Sequence, residues 1–379
     1  MDRELTEVEV WKLFTHDLPE QAWANNHDEP NRLCFGPGEP FGRRDTLRSN
    51  FHEWRKAGRI IRWLKHHNVR AIQIGGYDDF GRLRIIRWAR RHMVPCFLFA
   101  DSNIHGDSAR GVMRPIKKTL VSWVVCQVAG VMPCGTFGAE YFQRYGAAAS
   151  RVFLTPYEPD YALISGLTES QIASSLASVG LDASRRRLVF CGRMVPQKRP
   201  DLVLRAFEAI AAERPEFDLV MIGAGPLLAE LKASVPAHLA GRIHWTGFLG
   251  DQAVISAIYR ASDVFVLPSQ FEPWGVVVNE SLASGMALVT TNVVGAAADL
   301  VRDGLNGRTV PPDNLPALTS ALLEATSDAK LDSMRAASAA VLADWRRRAD
   351  PVSGVRRALE TVGVLTPLET RPPRAPSPS

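Results

Sequence analysis

The sequence predicts an α/β protein whose strands run parallel. Short apolar runs, typical of buried strands, alternate along the chain with longer segments in which apolar positions recur at helical spacing. In the second half, each glycine-rich or charged loop follows one of those apolar runs. Strands that alternate with helices form βαβ units, and such units build parallel sheets. With 379 residues the chain is long enough for two domains of ordinary size.

The composition narrows the class of protein. Apolar residues make up 46% of the chain and charged residues 22%, which is the balance of a soluble globular protein. No apolar run reaches the ~18 residues of a membrane-spanning helix, and the amino terminus is acidic, unlike a secretory signal peptide. The five cysteines show no C-x-x-C spacing, so we expect free thiols in a cytoplasmic protein.

The first part of the chain combines predicted strands with basic helices. The predicted strands cover residues 6–14, 69–74, 94–100 and 151–154, and the predicted helices cover residues 47–65, 82–92 and 137–145. Two prolines within residues 155–160 then indicate a stiff domain boundary.

Positive charge is concentrated in this first part. Between residues 41 and 92, fourteen lysines and arginines stand against four acidic residues, a local net charge of +10. With Trp54, Trp63 and Trp88 nearby, this basic face suits an anionic membrane surface or a phosphorylated acceptor. The alternative is a solvated face on helices that cover a sheet. No nucleic-acid recognition motif accompanies the charge, so nucleic acid is not an expected partner.

The second half is more regular. The predicted strands cover residues 187–191, 218–222, 243–246, 263–267 and 287–291, and the predicted helices include residues 200–210, 253–261 and 330–345. Ligands bind at the carboxyl ends of the strands in an open parallel sheet, so the loops at those ends are candidate binding segments. The Pro- and Ser-rich tail from Thr370 is predicted to be disordered.

Residues 268–285 are the leading candidate among these loops. Pro268 ends a buried strand, and Glu272 precedes a proline as in the first turn of a helix that would end at Gly285. The start of that helix would leave backbone N–H groups unpaired, and a glycine there lets a ligand approach the main chain. The residues concerned are Trp274, Gly275 and Val276.

Glu280 follows in the same predicted helix, among apolar neighbours that indicate partial burial. A buried carboxylate needs donors, and a pair of ligand hydroxyls would supply them. Two plainer interpretations stay open. Glu272 would then only complement the helix dipole, and Glu280 would pair with an arginine elsewhere in the chain.

Two further loops carry groups suited to phosphate. Arg193 and Lys198 flank a strand-to-helix turn, where a guanidinium fork and an ammonium could hold a diphosphate. Gly223 and Gly225 form an open turn, but Leu228 stands where a dinucleotide fingerprint has its third glycine. An NAD-dependent oxidoreductase is therefore a weak alternative, and it would leave the two glutamates unexplained.

Four motifs follow one another in the second half. They are Gly192-Arg193 with Lys198, Ile222-Gly223-x-Gly225-Pro226, Gly247-Phe248, and Glu272-Pro273-x-Gly275 with Glu280. In order and spacing they resemble the retaining GT-B glycosyltransferases of family four (glycosyl transferases group 1), closely over residues 187–312 and only loosely before them.

The resemblance implies two Rossmann-like domains with parallel sheets that face a central cleft. The expected domains are residues 1–156 on the acceptor side, 157–345 for the nucleotide sugar, and 346–379 as a helix and tail. By resemblance, the donor site would comprise Arg193 and Lys198 at the diphosphate, Glu280 at the ribose, Gly223, Gly225 and Phe248 beside the base, and Glu272 with the backbone of Trp274, Gly275 and Val276 at the sugar.

Asp101 is a second candidate catalytic residue beside Glu272. It follows the strand over residues 94–100, where many members of the family have a histidine. Asp101 would contact the transferred sugar, or else it would cap the following turn. The family commonly opens with a strand and a glycine-rich loop, and Met1 is expected to lie after that point. A catalytically impaired protein that binds nucleotide sugar or scaffolds a glycan complex is therefore the alternative function.

The expected function is a metal-independent, retaining transfer of sugar from a UDP- or GDP-linked donor to a saccharide or lipid-linked acceptor. No Asp-x-Asp motif occurs, and positive side chains would offset the charge of the leaving diphosphate. No cofactor is expected. By resemblance, the setting is polysaccharide or surface-glycan assembly in the cytoplasm, at the inner face of the membrane.

Overall fold

The computed structural model describes residues 5–14, 31–35, 47–107 and 109–367. Their strands form an open sheet of three strands, another of six, and a separate pair of short strands. All the pairings between these strands are parallel. The predicted α/β class with parallel sheets is therefore confirmed.

The first sheet lies in the amino-terminal half. Its strands are β3 (Ile72–Gly75), β4 (Cys96–Ala100) and β5 (Gly130–Pro133), in the order β3-β4-β5. The separate pair before it is β1 (Lys12–Phe14) with β2 (Arg32–Cys34). The helices are α1 (Leu47–His66), α2 (Phe80–Arg91), α3 (Met113–Gln127) and α4 (Thr136–Arg144). Side chains of β4 alternate between two cores, with Cys96, Leu98 and Ala100 on the side of the first three helices.

Helices α1 and α2 lie side by side with their amino ends together. The Phe80 N–H donates to Asn50 Oδ1 over 3.2 Å, and the Arg84 guanidinium donates to the Trp54 carbonyl over 2.6 Å. A Cβ added at Gly81 would lie 2.5 Å from the carbonyl oxygen of Glu53, so only glycine allows this approach.

The second sheet contains six strands. They are β6 (Arg186–Cys191), β7 (Phe217–Ile222), β8 (Ile243–Gly247), β9 (Val264–Leu267), β10 (Ala287–Thr291) and β11 (Gly307–Val310), in the order β11-β10-β9-β6-β7-β8. From β6 the chain moves outward first through β7 and then, on the other side, through β9. The crevice between the carboxyl ends of β6 and β9 is thus the topological switch point, where open α/β sheets bind ligands.

Ten helices accompany this half. They are α5 (Tyr161–Gly166), α6 (Glu169–Ser178), α7 (Pro200–Ile210), α8 (Leu228–Ala233), α9 (Gln252–Arg260), α10 (Val276–Ala283), α11 (Ala297–Leu300), α12 (Leu315–Ala325), α13 (Leu331–Ala349) and α14 (Pro351–Thr361). Among the described helices, none has the length and apolar character needed to cross a membrane.

The last helix returns to the first sheet. Val355 and Ala358 of α14 are buried in one cluster with Phe97, Met132 and Phe153, on the face of that sheet opposite the first cluster. A Cβ added at Gly354 would lie 2.1 Å from the Leu154 carbonyl oxygen, so the two segments are in close contact.

Three predicted elements differ from the structure. Only residues 12–14 of the predicted strand 6–14 pair as a strand, because residues 6–8 form a turn. Instead of a strand over 151–154, residues 149–151 form a 3₁₀ turn and Val152 makes a single bridge to Val131. The helix expected to include Glu272 begins at Val276. The predicted tail from Thr370 and the basic residues Arg43 and Arg44 lie outside the described residues.

Candidate functional site

The loops after β6, β7 and β8 pack on one another at the carboxyl edge of the second sheet. The Met194 N–H donates to Ala224 O over 2.9 Å, and the Gly223 N–H donates to Gly247 O over 2.8 Å. Gly223 has φ +128, and an added Cβ would lie 2.0 Å from the carbonyl oxygen of Gly192. An added Cβ at Gly225 would lie 2.5 Å from Met194 O. Both glycines are therefore needed for loop packing, whether or not they border a base.

Lys198 ends a 3₁₀ turn after β6 and forms an ion pair with the Glu272 carboxylate. Burial and the neighbouring Arg193 guanidinium lower the pKa of Lys198 to about 8, whereas contact with a carboxylate favours the charged ammonium. The Arg193 side chain is exposed to solvent. The structure thus brings both predicted diphosphate ligands and one predicted sugar ligand to the same place.

The segment before α10 is an irregular loop and not a helical turn. Gly275, the residue at the helix amino end, is left-handed with φ +91. Glu272 bridges in parallel to Val294, and its carbonyl accepts a hydrogen bond from the Gly295 N–H over 3.0 Å. These pairings hold the loop extended and stop the helix from continuing backwards. The prediction that Glu272 lies in the first helical turn is therefore wrong.

The loop nevertheless presents unused backbone donors. Within the described part of the chain, no residue accepts a hydrogen bond from the N–H groups of Trp274, Gly275 or Val276. The Trp274 side chain points away into the core, where Nε1 donates to Tyr157 O over 3.1 Å and the indole lies 5.5 Å from that of Trp345. Only the main chain of Trp274 is therefore available to a ligand.

Glu280 lies on the buried side of α10, with 8% of its surface exposed. Its Oε1 accepts a hydrogen bond from Gln252 Nε2 over 3.0 Å. Burial raises the pKa of Glu280 to about 7, and the Gln252 amide acts against that shift. No described lysine or arginine pairs with Glu280, so the alternative of a buried ion pair is wrong for this part of the chain.

Sequence reasoning missed Gln252. It begins α9, directly after Asp251 caps that helix by accepting from the Ala253 N–H over 2.8 Å. The sequence did contain a signal for this residue, because Gln252 is a polar side chain directly before a predicted helix that follows a strand of the same sheet. Phe248, in the loop between β8 and α9, is exposed at the same edge of the sheet. Its predicted contact with a base stays a prediction.

The first sheet contributes Asn103, which the sequence also did not single out. Its buried Nδ2 donates to Glu272 O over 3.1 Å and to Pro273 O over 3.0 Å. Its Oδ1 accepts from the backbone N–H groups of His105 and Gly106 and so caps their 3₁₀ turn. Asn103 therefore fixes the loop of the second sheet against the loop after β4.

Asp101 lies beside Asn103 and lines a narrow recess opposite Pro273 and Trp274. Partial burial raises the pKa of the Asp101 carboxyl. The side chain that caps the following turn belongs to Asn103, so the alternative role of Asp101 as that cap is wrong. Its predicted contact with a transferred sugar stays a prediction.

A second link between the sheets lies nearby. Asp299, a buried residue of α11, accepts from the Thr136 N–H over 2.8 Å and from the Thr136 hydroxyl over 2.6 Å. Burial raises the pKa of Asp299, and the two bonds from Thr136 act against that rise. Among the described residues, no three acidic, histidine or cysteine side chains converge as metal ligands.

Known proteins resemble this chain in the second half. Residues 185–328 match the family model Glycosyl transferases group 1. The lipopolysaccharide core biosynthesis mannosyltransferase LpsB of Rhizobium meliloti is 36% identical over 152 residues, 38% of this chain and 42% of that protein. The alpha-D-kanosaminyltransferase of Streptomyces kanamyceticus is 29% identical over 233 residues, 61% of this chain and 60% of that protein. The matches thus span less than two thirds of these relatives.

Solved structures extend the likeness to both halves. Anabaena Alr3699/HepE, solved in complex with UDP, superimposes with a TM-score of 0.67 at 17% identity, over 94% of this chain and 100% of that one. Sucrose-phosphate synthase from Thermosynechococcus elongatus gives a TM-score of 0.67 at 18% identity, over 88% and 84% of the two chains. The fold is therefore the GT-B architecture predicted from the sequence.

Proposed function

We propose that this GT-B protein is a retaining glycosyltransferase that moves a sugar from a UDP- or GDP-linked donor to a saccharide or lipid-linked acceptor. The observation that carries the proposal is the ion pair of Lys198 with Glu272 at the switch point of the second sheet, with the buried Glu280 carboxylate on the helix that follows the Glu272 loop. Glu280 and Lys198 both lie close enough to Cys191, the last residue of β6, to act on its thiol electrostatically. The family match over residues 185–328 covers all three side chains.

The donor diphosphate would lie between the loops after β6 and β9. Lys198 and Arg193 supply positive charge there, and the unpaired N–H groups at Gly275 and Val276 supply backbone donors. When the diphosphate binds, it would replace Glu272 as the ion-pair partner of the Lys198 ammonium. The Glu272 carboxylate, released from its ion pair, would then accept hydrogen bonds from hydroxyls of the sugar.

The ribose would lie against Glu280. One carboxylate oxygen already accepts from Gln252, and the carboxylate has further acceptor capacity for two ribose hydroxyls. A ligand that donates to a carboxylate favours its charged form, so donor binding would lower the raised pKa of Glu280.

In the transfer step, the bond between the sugar carbon and the diphosphate oxygen breaks, and a bond from the acceptor hydroxyl to the same carbon forms on the same face. The acceptor proton passes to the departing diphosphate oxygen. This scheme retains configuration without an enzyme nucleophile. Lys198 and Arg193 offset the charge of the leaving group, as a metal would elsewhere. Glu272 and Asp101 would hold the sugar.

We extend the proposal to an anionic membrane surface at the cytoplasmic face. Arg55, Arg59 and Arg62 are exposed along one face of α1, and none forms an ion pair with another described residue. Such a row of cations suits anionic headgroups.

The direct test is thermal stabilisation of the purified protein by UDP, GDP, ADP and dTDP. One diphosphate should raise the melting temperature of the native protein and of Glu230→Ala, an exposed control on α8, and should raise that of Glu280→Ala by less at the same diphosphate concentration. If no diphosphate stabilises the native protein, the proposed donor site is refuted. Stabilisation without transfer from the matching nucleotide sugar to any acceptor would support the impaired alternative.

A further inference from the structure

The first two turns of α3 carry an apolar surface on the outside of the protein. Val112, Met113, Ile116 and Leu120 are 79%, 57%, 58% and 41% exposed, and we call these four residues the α3 stripe. Their spacing places Met113, Ile116 and Leu120 on one helix face. The later residues Val121, Val124 and Val125 are buried in the core instead.

Positive charge surrounds the stripe. Residues 109–139 contain no aspartate or glutamate. Lys117 pairs with Asp107, but Arg110, Arg114 and Lys118 form no ion pair with any residue in the described part of the chain. The stripe is therefore an apolar surface with uncompensated cations beside it, which is the composition of a helix that lies in a membrane interface.

The stripe lies at the same edge of the first sheet as the candidate site. Helices α2 and α3 each connect two parallel strands, so they run antiparallel to the strands and begin at the carboxyl edge. Helix α1 lies alongside α2, with its amino end beside that of α2. This edge also supplies Asp101 and Asn103.

Further exposed rings lie at this edge. Phe51, Trp54 and Phe80 belong to the first turns of α1 and α2 and are all exposed. The Arg84 guanidinium lies 3.8 Å from the centre of the Trp54 ring. Aromatic rings with cations beside them are enriched where proteins meet the headgroup region of a bilayer.

We propose that the α3 stripe inserts into the interface of an anionic bilayer, and that the acceptor of the proposed transfer is anchored in that bilayer. This inference rests on the proposed function for its acceptor. Apolar side chains would enter the acyl boundary while Arg110, Arg114 and Lys118 contact lipid phosphates. A second copy of the chain is a poorer occupant, because two stripes face to face would bring like charges together.

The test uses the full-length protein and vesicles of phosphatidylcholine, alone or mixed with phosphatidylglycerol. The native protein should bind the mixed vesicles. Ile116→Ser, which changes no charge, should weaken that binding about tenfold, and Ile116→Glu should weaken it further. Leu305→Glu is the matched control, because Leu305 is 54% exposed in the loop before β11 of the other sheet, and it should bind like the native protein.

Three results would overturn the inference. They are equal binding by the Ile116 variants and the native protein, no preference for phosphatidylglycerol, and a native dimer that Ile116→Glu converts to a monomer. Stabilisation by a nucleoside diphosphate should be unchanged in every variant. A protein that binds vesicles but no nucleotide would refute the proposed donor site and leave the membrane contact standing. One that binds nucleotide but no vesicles would refute this inference and the proposed membrane surface on α1, and leave the donor site standing.

Discussion

The Lys198 ammonium and the Glu272 carboxylate form an ion pair between the loops after β6 and β9. In this ion pair, each of the two charged groups is neutralised by the other and is not free to contact a ligand. An anion that binds Lys198 must compete with Glu272, and its arrival releases a carboxylate beside the place where a sugar would lie.

The ion pair predicts opposite effects on binding and on transfer. Glu272→Gln removes the competitor, so the affinity of the protein for a free nucleoside diphosphate should stay the same or increase. The rate of sugar transfer should fall at least tenfold, since the amide accepts hydrogen bonds from sugar hydroxyls less strongly. Calorimetric titration and initial rates measure the two effects, and a marked loss of diphosphate affinity would contradict the proposed competition.

Removing Glu280 tests the ribose contact. Glu280→Ala should weaken donor binding by roughly 1–3 kcal/mol, because a charge-assisted hydrogen bond to a ribose hydroxyl is lost. The measurement is the dissociation constant of the diphosphate. Glu230→Ala is the control, and unchanged affinity in Glu280→Ala would remove this residue from the site.

The raised pKa of Glu280 predicts a pH-dependent stability. In the folded protein the Glu280 carboxyl keeps its proton up to about pH 7, whereas in the unfolded chain it loses that proton near its ordinary pKa of 4.5. The folded state therefore binds more protons in this window, and its stability falls as the pH rises through it. Glu280→Gln should be more stable than the native protein at pH 8, by up to about 3 kcal/mol, and similar to it below pH 5. Chemical denaturation at both pH values measures this, and a difference that does not change with pH would contradict it.

Asn103 offers a test of the link between the sheets. Asn103→Asp keeps the oxygen that caps the 3₁₀ turn but turns an acceptor toward the carbonyls of Glu272 and Pro273. We expect the folded state to lose about 1–3 kcal/mol and transfer activity to fall with it. His105→Ala is the control, because that side chain is exposed in the same turn. A melting temperature equal to that of the control would show that the two hydrogen bonds from Asn103 to the Glu272 and Pro273 carbonyls are dispensable.

Gly223 should tolerate no side chain. Gly223→Ala would place Cβ against the Gly192 carbonyl in a left-handed backbone, so we expect a loss of about 2–5 kcal/mol. Gly241→Ala is the matched control, since nothing lies within 4 Å of its added Cβ. Chemical denaturation of the two variants measures the difference in their stability. Equal stability would refute the close approach of Gly223 to the Gly192 carbonyl.

The sequence was most informative where local signals and the core agree. Helix α7 has the predicted bounds, because Pro200 favours its first turn and its apolar residues recur on one face. The sequence was least informative where contacts between residues far apart in the chain determine the local structure. The start of α10 depends on Glu272 pairing with residues more than twenty positions later, and the role of Asn103 depends on carbonyls about 170 positions away.

The return of α14 to the first sheet has a mechanical consequence. The chain crosses between the two sheets once before α5 and again at Asp350, and the contact of Gly354 with Leu154 places the two crossings side by side. We expect these two adjacent connecting segments to act as a hinge with a single axis, because two connections side by side permit bending in one direction and oppose twisting. Closure about that axis should return Asn103 to the same carbonyls.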